Sequence, residues 1–181
     1  MRPGAGPVAQ ARVYSSHNKR HGKRQLLENP LNPIVPATPP YGPAISLDEA
    51  KRVVARAEAE ALSRGWKVVV AVADSSAHLV MLHKMDDVHY AAIGVAQAKA
   101  LCAVNFKRAT KGFEDAVSAG GAGVRLLAIE GLCPLEGGIP LLRDGAVIGA
   151  IGVSGVASAE DGLIAQLGAA VVNGQQPGPD R

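Results

Sequence analysis

Gly137–Gly155, GGIPLLRDGAVIGAIGVSG, is the stretch whose reading decides the fold. The apolar run Ile139–Arg143 leads into Asp144-Gly145, a dipeptide that tolerates the positive φ angles of a two-residue turn, and Ala146–Val153 returns as the partner strand. Strict alternation puts Val147, Gly149, Ile151 and Val153 on one face of the return strand and Ala146, Ile148, Ala150 and Gly152 on the other. Both faces are apolar, which predicts a central strand covered on both sides. A glycine on each face predicts that a helix, a neighbouring subunit or a ligand comes very close to the backbone.

Upstream, Ser46-Leu47-Asp48-Glu49 reads as a capping box that opens a helix ending at Gly65. Trp66–Ala73 and His78–Met85 read as two strands around an Asp74–Ala77 turn, a second hairpin. Residues 88–105 and about 109–117 are helical by period, a short helix or turn is expected near 124–127, and a loop over 130–136. Ser158-Ala159-Glu160-Asp161 repeats the capping logic ahead of a last helix. The order is helix, hairpin, helices, hairpin, helix. It predicts an α+β fold: an α-β-α sandwich whose central antiparallel sheet is built from two hairpins, with helices on both faces.

Composition separates an arm from this body. Residues 1–44 hold eight of the twelve prolines and six Lys/Arg against Glu28 alone, a balance of +5. Residues 45–181 hold thirteen against fifteen, or −2, so the expected domain at 45–173 has no basic face for nucleic acid. The arm is read as extended and docked on a neighbouring subunit, with Leu26, Leu27, Leu31, Ile34 and Val35 to bury; a linker-like tail is the alternative. Residues 174–181 read as a polar tail. Cys102 and Cys133 lack CxxC spacing and form no disulfide framework, which fits a reducing compartment. The chain has no run of eighteen apolar residues and no signal-peptide core, so a cytoplasmic protein without membrane contact is expected.

The motifs Met85-Asp86, Gln97-Ala98-Lys99-Ala100, Gly137-Gly138-Ile139-Pro140-Leu141, Asp144-Gly145, Val147–Gly155 and Glu160-Asp161 resemble the GlcG/HbpS-like family. That family includes the C-terminal domain of PduO-type corrinoid adenosyltransferases. The resemblance implies the same sandwich, assembly into dimers and often octamers, and haem binding as in several members. Where the family commonly reads Asp-x-Gly-Gly-x-Leu, this chain has Asp74-Ser75-Ser76-Ala77-His78-Leu79, and losing both glycines is expected to change that turn.

Candidate chemistry concentrates between His78 and Thr110 and at Gly137-Gly138. His83 and His89 are candidate bases or iron ligands, against the commoner solvated or core-bonded histidine. Asp86 is a candidate to orient such a base, while Asp87 is expected to cap the helix from Val88. Lys99, inside an alanine-rich helix, needs a partner or an anionic ligand. Lys107 and Arg108 suit carboxylates or haem propionates, with a solvated basic turn as the competing reading. Thr110 resembles a family threonine close to bound haem, and Gly137 and Gly138 offer backbone N–H groups to an oxyanion. No P-loop, GxSxG or HExxH spacing occurs, and no metal site is expected. Three functions follow: a small-ligand binder with haem as the candidate cofactor; a tautomerase, hydratase or lyase using His89 or His83 as base, Asp86 as its orienter and Lys99 or Arg108 as anion clamp; or an assembly subunit of an oxidoreductase.

Overall fold

A computed structural model describes residues 38–174 of the chain. The proposed docking segment of the arm up to residue 37 and the tail from residue 175 lie outside the described residues. The helices are α1 (Leu47–Ser63), α2 (Ala91–Phe106), α3 (Lys111–Ser118) and α4 (Ser158–Ala170), with a 3₁₀ segment at Gly121–Ala128. The strands are β1 (Val69–Asp74), β2 (Leu79–Lys84), β3 (Gly138–Arg143) and β4 (Ala146–Ser154).

The two hairpins join through β1 and β4 into one antiparallel sheet of order β2-β1-β4-β3. The expected α+β sandwich is therefore the fold, with α1 and α4 on one face and α2 on the other. Ile148, Ile151 and Val153 of β4 pack with Val53, Val54 and Ile164 under α1 and α4. Val147 and Ala150 pack with Ala103 and Val104 of α2. This departs from strict alternation, because a register shift between Leu141 and Leu142 in the β3–β4 ladder turns Val147 to the side opposite Ile151.

The glycine on the α2 face does what its position predicts. A methyl group at Gly152 would stand 2.1 Å from Ala96 O and 2.5 Å from Ala100 N, so α2 rests directly on the β4 backbone. At Gly149 a methyl would instead meet the β1 carbonyl of Ala73 at 2.3 Å.

The capping box at α1 forms as read. Ser46 Oγ accepts from Glu49 N–H and Glu49 accepts from Ser46 N–H at 3.1 Å. These bonds, with Arg143 beside the same carboxylate, hold Glu49 down to about 2. At α4 the logic is shifted by one residue: Glu160 accepts from Ala157 N–H, and Asp161 is drawn inward.

The body starts before residue 45. Gly42 N–H donates to Val147 O and Val147 N–H to Pro40 O, both at 2.8 Å, and Ile45 N–H donates to Ile148 O. The segment 40–45 is thus a strap along β4 where β1 has ended, rather than the end of a free arm. No helix among the described residues is long and apolar enough to cross a membrane.

Candidate functional site

Helix α2 organises the candidate residues, and it keeps two groups of them apart. Its sixteen residues span about 24 Å. His89 and Asp86 stand exposed in the turn before its N-terminus, whereas Lys107, Arg108 and Thr110 follow its C-terminus. His83 belongs to neither end: its Nδ1 lies 2.9 Å from Glu58 Oε1 of α1, on the opposite face of the sheet. Within a single subunit, His89 and Asp86 therefore stand a helix length from Arg108, and His83 is engaged with Glu58. Asp87 does not cap α2 either; it takes a left-handed conformation at φ 64°, and the helix begins at Ala91 without a side-chain cap.

Lys99, Thr110, Gly137 and Gly138 do converge. Lys99 is fully buried, and its Nζ donates to Asp161 Oδ2 at 2.7 Å and to Val153 O at 2.9 Å. Asp161 Oδ1 accepts in turn from Val156 N–H. Burial pushes the Asp161 carboxyl above the usual carboxylate range, and the Lys99 ammonium pulls it back. Gly137, at φ 122°, passes so close that a methyl there would meet Val153 O at 2.7 Å and Lys99 Nζ at 3.0 Å. Thr110 is also fully buried; its Oγ1 accepts from Gly138 N–H at 2.9 Å and its N–H donates to Gly138 O at 3.0 Å. The partner that Lys99 requires is thus Asp161, and the Gly138 N–H is committed to Thr110.

Outside this closed cluster, the α2–α3 junction exposes its charges. Lys107 closes α2 in a left-handed conformation, φ 53°, which turns the chain and leaves Lys107 and Arg108 side by side. Lys107 Nζ lies 4.0 Å from the Tyr41 ring centre and Arg108 Cζ lies 4.3 Å from that of Phe113. Phe113 meets Phe106 edge to face, with centroids 5.2 Å apart. The Tyr41 hydroxyl donates to Val104 O at 3.0 Å, which fastens the strap to the end of α2. Three of the six aromatic residues in the chain therefore gather at this junction, two of them beneath cations.

Sequence reasoning missed Asp161, Tyr41 and Phe113. Asp161 had a signal, the lone lysine in an uncharged helix that calls for a counter-charge; Tyr41 had none, because its neighbours are prolines and its partners lie more than sixty residues away. Among the described residues, no group of three His, Cys, Asp or Glu is placed to hold a metal ion.

Comparison with known proteins agrees with this architecture. The Escherichia coli (strain K12) Protein GlcG is 39% identical over 110 residues, 61% of this chain and 81% of the relative. The crystal structure of the Klebsiella pneumoniae protein ORFY superposes with a TM-score of 0.69 at 26% identity, covering 75% of this chain and 94% of that one. A PduOC–haem complex superposes with a TM-score of 0.65 at 30% identity, covering 72% and 96%. The family described as "Haem degrading protein HbpS-like" matches residues 45–170, from the strap's last residue through α4. With that match over most of the chain and the same sandwich beneath it, the protein belongs to the HbpS-like family.

Proposed function

We propose that this chain is a binding protein for a planar, carboxylate-bearing ligand of the haem class, held at the α2–α3 junction. The observation that carries this reading is the pairing of Lys107 and Arg108 with the Tyr41 and Phe113 rings. Cations held over rings sit in fixed positions, so less side-chain freedom is lost when they meet carboxylates. Family membership and the haem in a relative's complex support the ligand class.

The residues present fit the periphery of such a ligand better than its centre. Lys107 and Arg108 would meet propionates, and the aromatic edges would pack on the macrocycle. Haem, when bound, supplies iron redox chemistry. Thr110 is spent on Gly138 and Tyr41 on the end of α2, so neither hydroxyl is free for the metal. Gly137 and Gly138 act behind the junction, positioning Thr110, and Lys99 anchors them through Asp161.

We further read the chain as a homo-oligomer, in the dimer-to-octamer range of the family resemblance. On α2, Ala91, Gly94, Ala98, Leu101 and Asn105 follow a spacing of three and four and are not buried, and no charged side chain interrupts them. A surface helix of this kind is suited to packing on another helix.

Titration of the purified full chain with hemin tests the ligand. The expected result is saturable binding at a fixed stoichiometry, weakened about tenfold in Lys107→Glu and in Arg108→Glu. His83→Ala should leave it unchanged. Absence of saturable binding, or binding indifferent to both charge reversals, overturns the assignment.

A further inference from the structure

The guanidinium of Arg108 has no acid to hold it. Among the described residues the other arginines are engaged: Arg52 and Arg143 with Glu49, Arg56 and Arg64 with Glu60, and Arg125 with the Ala122 carbonyl. Arg108 is instead kept in place by shape. Its Cζ lies 4.3 Å from the centre of the Phe113 ring, which is buried and braced edge to face by Phe106. The guanidinium also lies against the first turn of α3 at Gly112, where a methyl group would stand 2.6 Å from Arg108 Nη2 and 3.5 Å from Cζ.

Gly112 is otherwise a poor choice at that place. It is the second residue of an eight-residue helix, where glycine is weaker than alanine, and its φ is not positive, so the backbone does not call for glycine. What glycine supplies is room for the guanidinium. Nor does α3 draw Arg108 in, since a cation over the first turn stands at the positive end of the helix dipole. A planar cation held by a ring and a gap, its N–H donors unspent among the described residues, is suited to a two-point grip on a carboxylate.

We propose that Gly112 is a positioning residue of the ligand site: by lacking a Cβ it seats Arg108 on Phe113 and keeps the guanidinium aligned for bidentate binding of a ligand carboxylate. This rests on the ligand reading given above and adds the seat to it. The seat selects arginine over lysine, because an ammonium neither stacks as a plane nor offers two parallel donors. The two cations thereby take different tasks: Lys107, over Tyr41, contributes charge, and Arg108 contributes direction. The atoms that an alanine at residue 112 would strike are the far end of a flexible side chain, so Arg108 moves and the helix stays. Gly112→Ala should therefore separate stability from binding.

Full-chain variants test the seat with and without ligand. In the ligand-free native chain, NMR should show the Arg108 side-chain protons shifted upfield by the Phe113 ring. That shift should shrink in Gly112→Ala while the melting temperature rises by a few degrees, because alanine favours the helix. Hemin binding should weaken about three- to tenfold in Gly112→Ala, and the Gly112→Ala/Arg108→Ala double variant should bind no more weakly than Arg108→Ala alone. Hemin dimethyl ester, whose carboxylates are blocked, should bind the native and Gly112→Ala chains equally. A ring-current shift that persists in Gly112→Ala, losses that add in the double variant, or hemin affinity unchanged in Gly112→Ala while Arg108→Ala weakens it, overturns the seat and leaves the ligand reading standing. A native chain that binds no hemin overturns the ligand reading, and the carboxylate role of Arg108 with it.

Discussion

Lys99 is the only charged residue of α2, and it points into the core rather than to solvent. Together with Asp161 it joins α2 to α4 across the entrance of β3, with Val153 O and Val156 N–H completing the hydrogen bonds. A pair this buried is a position-setting device more than a source of stability, because the desolvation of both charges offsets most of their attraction. Breaking it from one side is a different matter. Lys99→Met leaves the Asp161 carboxyl buried without its cation, and Asp161→Leu strands the ammonium; each should cost about 3–5 kcal/mol in urea unfolding. The double variant, apolar on both sides, should recover most of that loss. A single-variant cost under about 1 kcal/mol would mean that water reaches the pair. The lysine was legible in sequence as a residue in need of a partner, yet the partner was not, since Asp161 reads locally as a helix-start acid and the contact spans sixty-two positions.

Among the elements, the β1–β2 hairpin carries a local conflict that the chain tolerates. Ala77 occupies a left-handed conformation at φ 63°, the position where the family pattern has a glycine. The turn is held by Asp74, whose Oδ1 accepts from Ser76 N–H at 2.8 Å and His78 N–H at 3.0 Å, while Ala77 N–H donates to Asp74 O at 3.0 Å. Three bonds to one residue keep the turn in shape without glycine, at a cost of about 1 kcal/mol for the alanine Cβ. Ala77→Gly should relieve that strain and, after the added entropy of the unfolded chain, raise stability by a few tenths to about 1 kcal/mol, read as a higher melting temperature. A lower melting temperature would show that the Ala77 methyl contributes more by packing against the cluster of Ala103, Val104, Val147 and Ala150 than it costs in strain. Hairpins, the α1 capping box and the central place of β4 were readable because each depends on neighbours within a few residues. The face assignment along β4 failed at its start, since a register shift is set by the partner strand and leaves no mark on the strand's own alternation. The start of α2 was misplaced for a related reason: Asp86-Asp87 looks like a cap, but Asp87 turns left-handed and the helix waits until Ala91.

At the scale of the whole molecule, the two ends of α2 hold different chemistry about 24 Å apart, and only association between subunits would bring such ends near one another. The outer stripe of α2 makes that association a concrete expectation. A helix that is uncharged apart from an inward lysine is poorly matched to water, and the small residues Ala91, Gly94 and Ala98 would let a second backbone approach closely. Under a two-fold axis the same residues face themselves, with no like-charge contact to oppose them. Ala98→Glu places a carboxylate in the middle of that stripe and, across the axis, a second one opposite it. Because residue 98 is not in the buried set of α2, the subunit should keep its fold and its far-ultraviolet circular dichroism, while the mass measured by light scattering falls to that of a smaller species. A control at an exposed site of α1, Lys51→Glu, should leave the assembly intact. If Ala98→Glu leaves the mass unchanged in a chain that does associate, the contact lies elsewhere, and the exposed apolar side chains Val124, Leu127 and Ile129 are the next face to charge.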